Sequence, residues 1–167
     1  MKILKKYWAK ILLTLSVATI LIALIAEYIF KIIPCEMCIY QRYPYYFIIL
    51  FSLAYIIVKK ISVIWYYRII FISLLIGLFL SLWHVGVEQK ILSGLSGCSN
   101  KINALESLSQ LKEQIINQNV VTCSEITWSI MGISAATLNS LLLSLLLLIN
   151  TLLLFSYYLE KKNKKIN

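Results

Sequence analysis

Apolar residues gather into four long runs, at about 11–30, 41–58, 68–86 and 128–156, with polar stretches between them. Each run is close to or above the roughly 20 residues that carry a helix across a bilayer. The pattern predicts an all-α membrane protein, a four-transmembrane-helix bundle that forms a single integral membrane domain over residues 1–167. Two loops, 31–40 and 87–127, fall on one face. In the longer loop, Asn103 with Glu106 resembles a capping box, and Leu105, Leu108, Leu111 and Ile115 fall near one stripe. A loop of this size has little core, so the stripe predicts a short interfacial helix.

Composition narrows the class. At 167 residues, 60% hydrophobic, with a mean hydropathy of +0.83, the chain has no room for a second globular domain beside four spans. The net charge of +9 does not indicate nucleic acid, because the basic residues cluster at the ends of apolar runs and form no continuous face. Eleven lysines and arginines (Lys2, Lys5, Lys6, Lys10, Lys59, Lys60, Arg68, Lys161, Lys162, Lys164 and Lys165) fall on one side. Five, Lys31, Arg42, Lys90, Lys101 and Lys112, fall on the other. Both termini are therefore expected in the cytoplasm. The first run lasts about 20 residues and ends in bulky Tyr28, Ile29 and Phe30, which favours a retained span over a cleaved signal peptide.

Several side chains are expected to have ordinary structural roles. Glu27 is expected at the interface, and Tyr40, Tyr43, Tyr45 and Tyr46 form an aromatic belt. Gly132, Ala136 and Ser140, spaced by four, predict close helix packing, Asn139 a hydrogen bond across the bundle, and Leu141 to Leu148 a lipid-facing surface.

The chemistry concentrates in Pro34-Cys35-Glu36-Met37-Cys38-Ile39-Tyr40-Gln41-Arg42. Two cysteines three apart share a helical turn, where they can close a reactive disulfide or share a metal. Arg42, four residues past Cys38, is expected to favour the Cys38 thiolate, as is a nearby helix N-terminus. Pro44 leaves open whether the cysteines precede the second helix or lie in its first turns. Antiparallel spans bring His84 and Glu88 back to the same face, and Cys98 and Cys123 lie in its longer loop. All four cysteines are thus expected on the non-cytoplasmic side, where disulfides persist.

These residues resemble the disulfide bond formation protein B (DsbB) family of bacterial inner-membrane oxidases. The likeness rests on Pro34-Cys35-x-x-Cys38-x-x-Gln41-Arg42-x-Pro44-Tyr45, on His84-x-Gly86-x-Glu88, on Cys98, and on Cys123 followed by Trp128, Gly132-Ile133-Ser134 and Asn139. Ala135 and Leu138 depart from the Met and Trp of many relatives. The resemblance implies a thiol:quinone oxidoreductase that reoxidises a periplasmic, DsbA-like dithiol protein and supports disulfide bond formation. By that likeness Cys35, Cys38, Cys98 and Cys123 are catalytic, with the loop pair meeting the partner and Cys38 nearest the quinone. Arg42, His84 and Glu88 join Cys38 at the cofactor, ubiquinone or menaquinone; no metal is expected. Three rivals share some features. A vitamin K epoxide reductase-like enzyme places its loop cysteines before its C-x-x-C, whereas here the C-x-x-C comes first. A zinc-stabilised membrane protein would hold the cysteines as ligands, and a structural membrane protein would hold two inert disulfides.

Overall fold

The computed structural model describes residues 2–58, 60–94, 123, 129–130 and 132–166. Cys98 and the helix predicted between it and Cys123 lie outside the described residues. The order is α1 (Lys2–Tyr28), α2 (Glu36–Tyr40), α3 (Tyr43–Val58), α4 (Val63–Glu88), β1 (Ser129–Ile130), β2 (Ile133–Ser134) and α5 (Ala135–Ile166). Among the described residues, four helical segments are long and apolar enough to cross a membrane: Ile3–Tyr28, Glu36–Val58, Val63–Glu88 and Ala135–Asn163. The fold is the four-span bundle that the apolar runs predict.

Pro44 accounts for the break between α2 and α3. Its missing N–H cannot bond the Tyr40 carbonyl four residues back, so α2 stops and two turn residues, Gln41 and Arg42, precede α3. The cysteines therefore sit on a short helix of their own at the mouth of the bundle. α4 ends on a residue that a glycine would usually fill: Lys90 takes φ 59°, its N–H reaches the Val87 carbonyl at 2.9 Å, and the Ile91 N–H reaches the Gly86 carbonyl at 2.9 Å.

The fourth apolar run enters its helix later than the residue 128 expected. Ser129 pairs with Ser134 and Ile130 with Ile133 in a small antiparallel hairpin, and Gly132 turns at φ 82°. Ser134 then starts α5, its Oγ accepting from the Thr137 N–H at 3.2 Å. Gly132 thus belongs to the turn and not to a helical stripe with Ala136 and Ser140. Those two are buried, and the α4 residue Ser81 donates to the Ala136 carbonyl at 3.0 Å.

α4 packs most extensively on α5, α1 on α3, and α3 on α4. Close approach of α3, α4 and α5 depends on Gly77, where an added Cβ would lie 3.2 Å from Pro44 Cβ and 3.4 Å from Leu143 Cδ2. The leucine-rich run has two faces, contrary to the lipid-facing reading: Leu143 and Leu146 are buried, while Leu141, Leu145 and Leu148 point outward. Tyr45 also leaves the expected aromatic belt and is buried, whereas Tyr40, Tyr43 and Tyr46 stay exposed.

Polar ties hold the end opposite the cysteines. Trp8 Nε1 donates to Asn150 Oδ1 at 3.0 Å, and Asn150 Nδ2 donates to the Tyr67 carbonyl at 3.1 Å, joining α1, α5 and α4. Lys5 pairs with Glu160 at 2.7 Å. Arg68 bonds the Tyr158 hydroxyl and stacks on Trp65. At the cysteine end a cavity of about 270 Å³ lies between residues of α1, such as Ala23 and Glu27, and residues of α5, such as Ala135 and Asn139.

Candidate functional site

Cys35 caps α2. Its sulfur accepts from the Cys38 N–H at 3.2 Å, as a capping side chain does, and is 2.7 Å from the Cys38 sulfur. Both are free thiols here. The pair faces two ways. Cys35 is buried in an apolar cluster with Met37, Val87 and Cys123, whereas Cys38 lines the cavity. Cys123 is itself disulfide-bonded and buried.

His84 approaches from α4, its Nε2 3.5 Å from the Cys35 sulfur. Its other ring nitrogen is held by a series of side chains. Tyr45 donates its hydroxyl to Asn139 Oδ1 at 2.5 Å, and Asn139 Nδ2 donates to Gln41 Oε1 at 2.7 Å. That leaves Gln41 Nε2 to donate to His84 Nδ1 at 2.6 Å. With Nδ1 accepting, the ring proton is on Nε2 and points at Cys35. Glu88, one turn further along α4, lies 3.9 Å from His84 Nε2 through Oε1, and its Oε2 accepts from Ser134 Oγ at 2.6 Å.

Charge is distributed differently from the sequence expectation. Arg42 donates through Nη1 to Glu27 Oε2 at 2.6 Å, so its charge is largely met by a carboxylate and is not reserved for Cys38. Glu27 accordingly is no lone interfacial group. It lines the cavity and closes an ion pair between α1 and the turn that precedes α3. The favoured thiolate is Cys35: the hydrogen bond from Cys38, aided by His84, outweighs burial and lowers its pKa to about 5.

The structure thus brings together five residues singled out in the sequence: Cys35, Cys38, Arg42, His84 and Glu88, with Cys123 packed on the far side of Cys35. Sequence reasoning gave no role to Gln41 or Ser134 and misjudged Glu27 and Tyr45. The available signal was polarity in the wrong place, since Glu27 stands inside an apolar run and Gln41 beside the C-x-x-C.

A dithiol at one mouth of a membrane bundle, next to a disulfide-bonded cysteine and to a cavity, is the arrangement of a membrane thiol oxidoreductase. The chain matches the profile of disulfide bond formation protein DsbB over residues 5–153. It belongs to the DsbB family, membrane oxidoreductases of disulfide bond formation that are in general linked to quinone and to a periplasmic dithiol oxidase. It is also 34% identical over 147 residues to an uncharacterized protein of Rickettsia prowazekii (strain Madrid E), covering 87% of this chain and 85% of the relative. No solved structure matches the chain.

Proposed function

We propose that this protein is a single-domain, multi-pass thiol:quinone oxidoreductase of a bacterial inner membrane that reoxidises a DsbA-like periplasmic dithiol protein. Its termini are cytoplasmic and its cysteines periplasmic, in keeping with the eleven-to-five distribution of basic residues. One observation carries the reading: Cys35 and Cys123 share one buried apolar cluster, and Cys38, packed against that cluster, also lines the cavity.

The exchange follows from that placement. Membership of the family implies that Cys98 and Cys123 act together as the loop pair that meets the partner, in keeping with the disulfide-bonded state of Cys123. Attack by the partner's thiolate on Cys98 breaks the Cys98–Cys123 bond and leaves the electron pair on Cys123. Cys123 then attacks Cys35 of an oxidised Cys35–Cys38 pair, and the electron pair leaves on Cys38, at the cavity. The partner's second thiolate resolves its link to Cys98, which leaves the partner oxidised and Cys98 a thiolate; Cys98 then attacks Cys123 of the Cys35–Cys123 link, restoring the loop disulfide and leaving the membrane-level pair reduced.

The cavity suits a flat dicarbonyl ring. Its lining is mainly apolar, its volume is near the roughly 300 Å³ lower end of small-molecule sites, and Gln41, Arg42 and His84 supply a few polar groups. A bound quinone supplies the acceptor for two electrons and two protons. Arg42, steadied by Glu27, would orient a carbonyl oxygen, and His84 would hold a proton at Nε2 next to Cys35.

The direct test is quinone reduction by the purified protein, driven by a reduced thioredoxin-like dithiol protein. Turnover that stops with Cys35→Ser and Cys38→Ser supports the reading. No quinone reduction by the wild-type chain in the presence of a reduced partner overturns it.

A further inference from the structure

We infer that the reduced Cys35–Cys38 pair, completed by His84 and Glu88, is a capture site for Zn2+ that locks the protein in its dithiol state.

The sulfurs of Cys35 and Cys38 and a ring nitrogen of His84 lie within 4.8 Å of one another. A tetrahedral zinc with Zn–S near 2.3 Å and Zn–N near 2.0 Å spans an S···N edge of roughly 3.5 Å and an S···S edge of roughly 3.8 Å. Cys35 Sγ to His84 Nε2 is 3.5 Å. The two sulfurs are 2.7 Å apart, so they must separate by about 1 Å, a movement the cavity beside Cys38 leaves room for. Glu88 Oε1 is 3.9 Å from His84 Nε2 but stands outside the cluster of the other three, so its side chain must swing inward to supply the fourth ligand. Two thiolates, an imidazole and a carboxylate form a donor set that suits zinc over the harder Mg2+ or Ca2+.

The groups behind the ligands distinguish this cluster from a chance C-x-x-C. Zinc-bound imidazoles and carboxylates ordinarily have their second polar atom held by a neighbour, and here both do. Gln41 holds His84 Nδ1 at 2.6 Å, and Ser134 holds Glu88 Oε2 at 2.6 Å. The side chains of His84 and Glu88 are 5% and 7% exposed, so neither is a surface group that met a thiol by accident.

Binding carries its own signature. His84 can ligate through Nε2 only if its proton moves to Nδ1, which then needs an acceptor. Gln41 provides one by turning its amide over, Asn139 must turn with it, and the Tyr45 hydroxyl ends the series because it can accept as well as donate. Metal capture therefore reverses every hydrogen bond from Tyr45 to His84. Formation of the Cys35–Cys38 disulfide removes both thiolates, so the oxidised protein is immune. The site stands on this geometry alone. The inhibition rests on the thiol:quinone reading.

The test uses the full chain in detergent micelles, reduced and freed of metal with a chelator, carrying Cys98→Ser and Cys123→Ser so that the loop sulfurs cannot bind. His84 is the chain's one histidine, so its 15N imidazole resonances report the tautomer without assignment. The expected result is one Zn2+ per reduced chain and none once Cys35 and Cys38 are oxidised. Co2+ in its place should show thiolate charge-transfer and tetrahedral ligand-field bands, and the His84 proton should move from Nε2 to Nδ1. Ser134→Ala should weaken binding about 10–100-fold while leaving the four ligands in place. Substoichiometric binding by the reduced chain, equal binding after oxidation, or unmoved His84 resonances each overturn the proposal. Quinone reduction by the metal-free wild-type chain is assayed separately, so a failure of the redox reading is seen apart from a failure of the zinc site.

Discussion

Arg42 and Glu27 meet through a single 2.6 Å contact between Nη1 and Oε2, and both side chains line the cavity. The arginine at this mouth is thus a positioned group, neutralised and aimed from α1. Arg42→Ala is expected to slow quinone reduction on the order of 100-fold, by analogy with removal of one oriented donor, while exchange with the dithiol partner stays within about threefold. Arg42→Lys should keep part of the rate, and Glu27→Gln should reproduce a milder form of the same split. Stopped-flow measurement of the two half-reactions decides, and equal losses in both would remove Arg42 from the acceptor side.

Cys35 gives a pH prediction with a definite sign. Its pKa falls from the ordinary 9.0 to about 5, through the Cys38 hydrogen bond first and His84 after it. A depressed pKa stabilises the reduced fold fully above the ordinary value, less as pH falls below it, and not at all once pH has passed through about 5. The ultraviolet thiolate absorbance of the reduced Cys98→Ser, Cys123→Ser chain should therefore titrate near pH 5. His84→Ala should move that midpoint upward and make the Cys35–Cys38 disulfide harder to reduce. A midpoint near 9 in the parent chain would refute the assignment of the thiolate to Cys35.

The order of exchange has a covalent readout. Cys123→Ser should let a mixed disulfide between Cys98 and the dithiol partner accumulate, seen as a reductant-sensitive band on a non-reducing gel. Cys98→Ser should give much less of it. If the trapped partner is bonded to Cys35 or Cys38 instead, electrons enter at the membrane-level pair.

Orientation is checked by labelling. After reduction, a membrane-impermeant maleimide added from the periplasmic side should modify cysteines of both pairs, Cys35 more slowly because it is buried. Labelling from the cytoplasm alone would invert the topology and exclude a periplasmic partner.

At the opposite end, Asn150→Leu removes the acceptor for Trp8 Nε1 and the donor to the Tyr67 carbonyl. Interhelical hydrogen bonds in membranes contribute about 0.6–2 kcal/mol each, so a loss of roughly 1–3 kcal/mol is expected in a detergent unfolding titration, with quinone reduction at low temperature unchanged.

The bundle was legible in the apolar runs because hydrocarbon forces every backbone group into a helix, whatever the side chains do next. The break before α3 was half legible, since Pro44 announced a discontinuity but not its register. Burial direction was less so. A run such as Leu141 to Leu148 carries no polar residue except Ser144 to mark its outer face, so which leucines turn inward depends on α4 and not on the run itself. At the site, Cys35, Cys38, His84 and Glu88 announced themselves by type and spacing. The Arg42–Glu27 pair did not, because a three-dimensional meeting between α1 and the turn before α3 outweighed the local i, i+4 relation to Cys38. Lys90 concealed a helix end for a similar reason, since the left-handed position it fills is one that glycine usually marks.

The bundle resembles a clothes-peg, tied at one end by Trp8, Asn150 and the Lys5–Glu160 pair and parted at the other around the cavity. Ile22 lines that cavity and is also 55% exposed on the outer apolar surface, so the gap between the jaws reaches the flank of the bundle. On the proposed thiol:quinone reading, the quinone would enter sideways from the bilayer without a passage through water, its long apolar tail left outside while the head is held beside Cys38. Such a side door would select by the shape of the head and be indifferent to the length of what trails behind it.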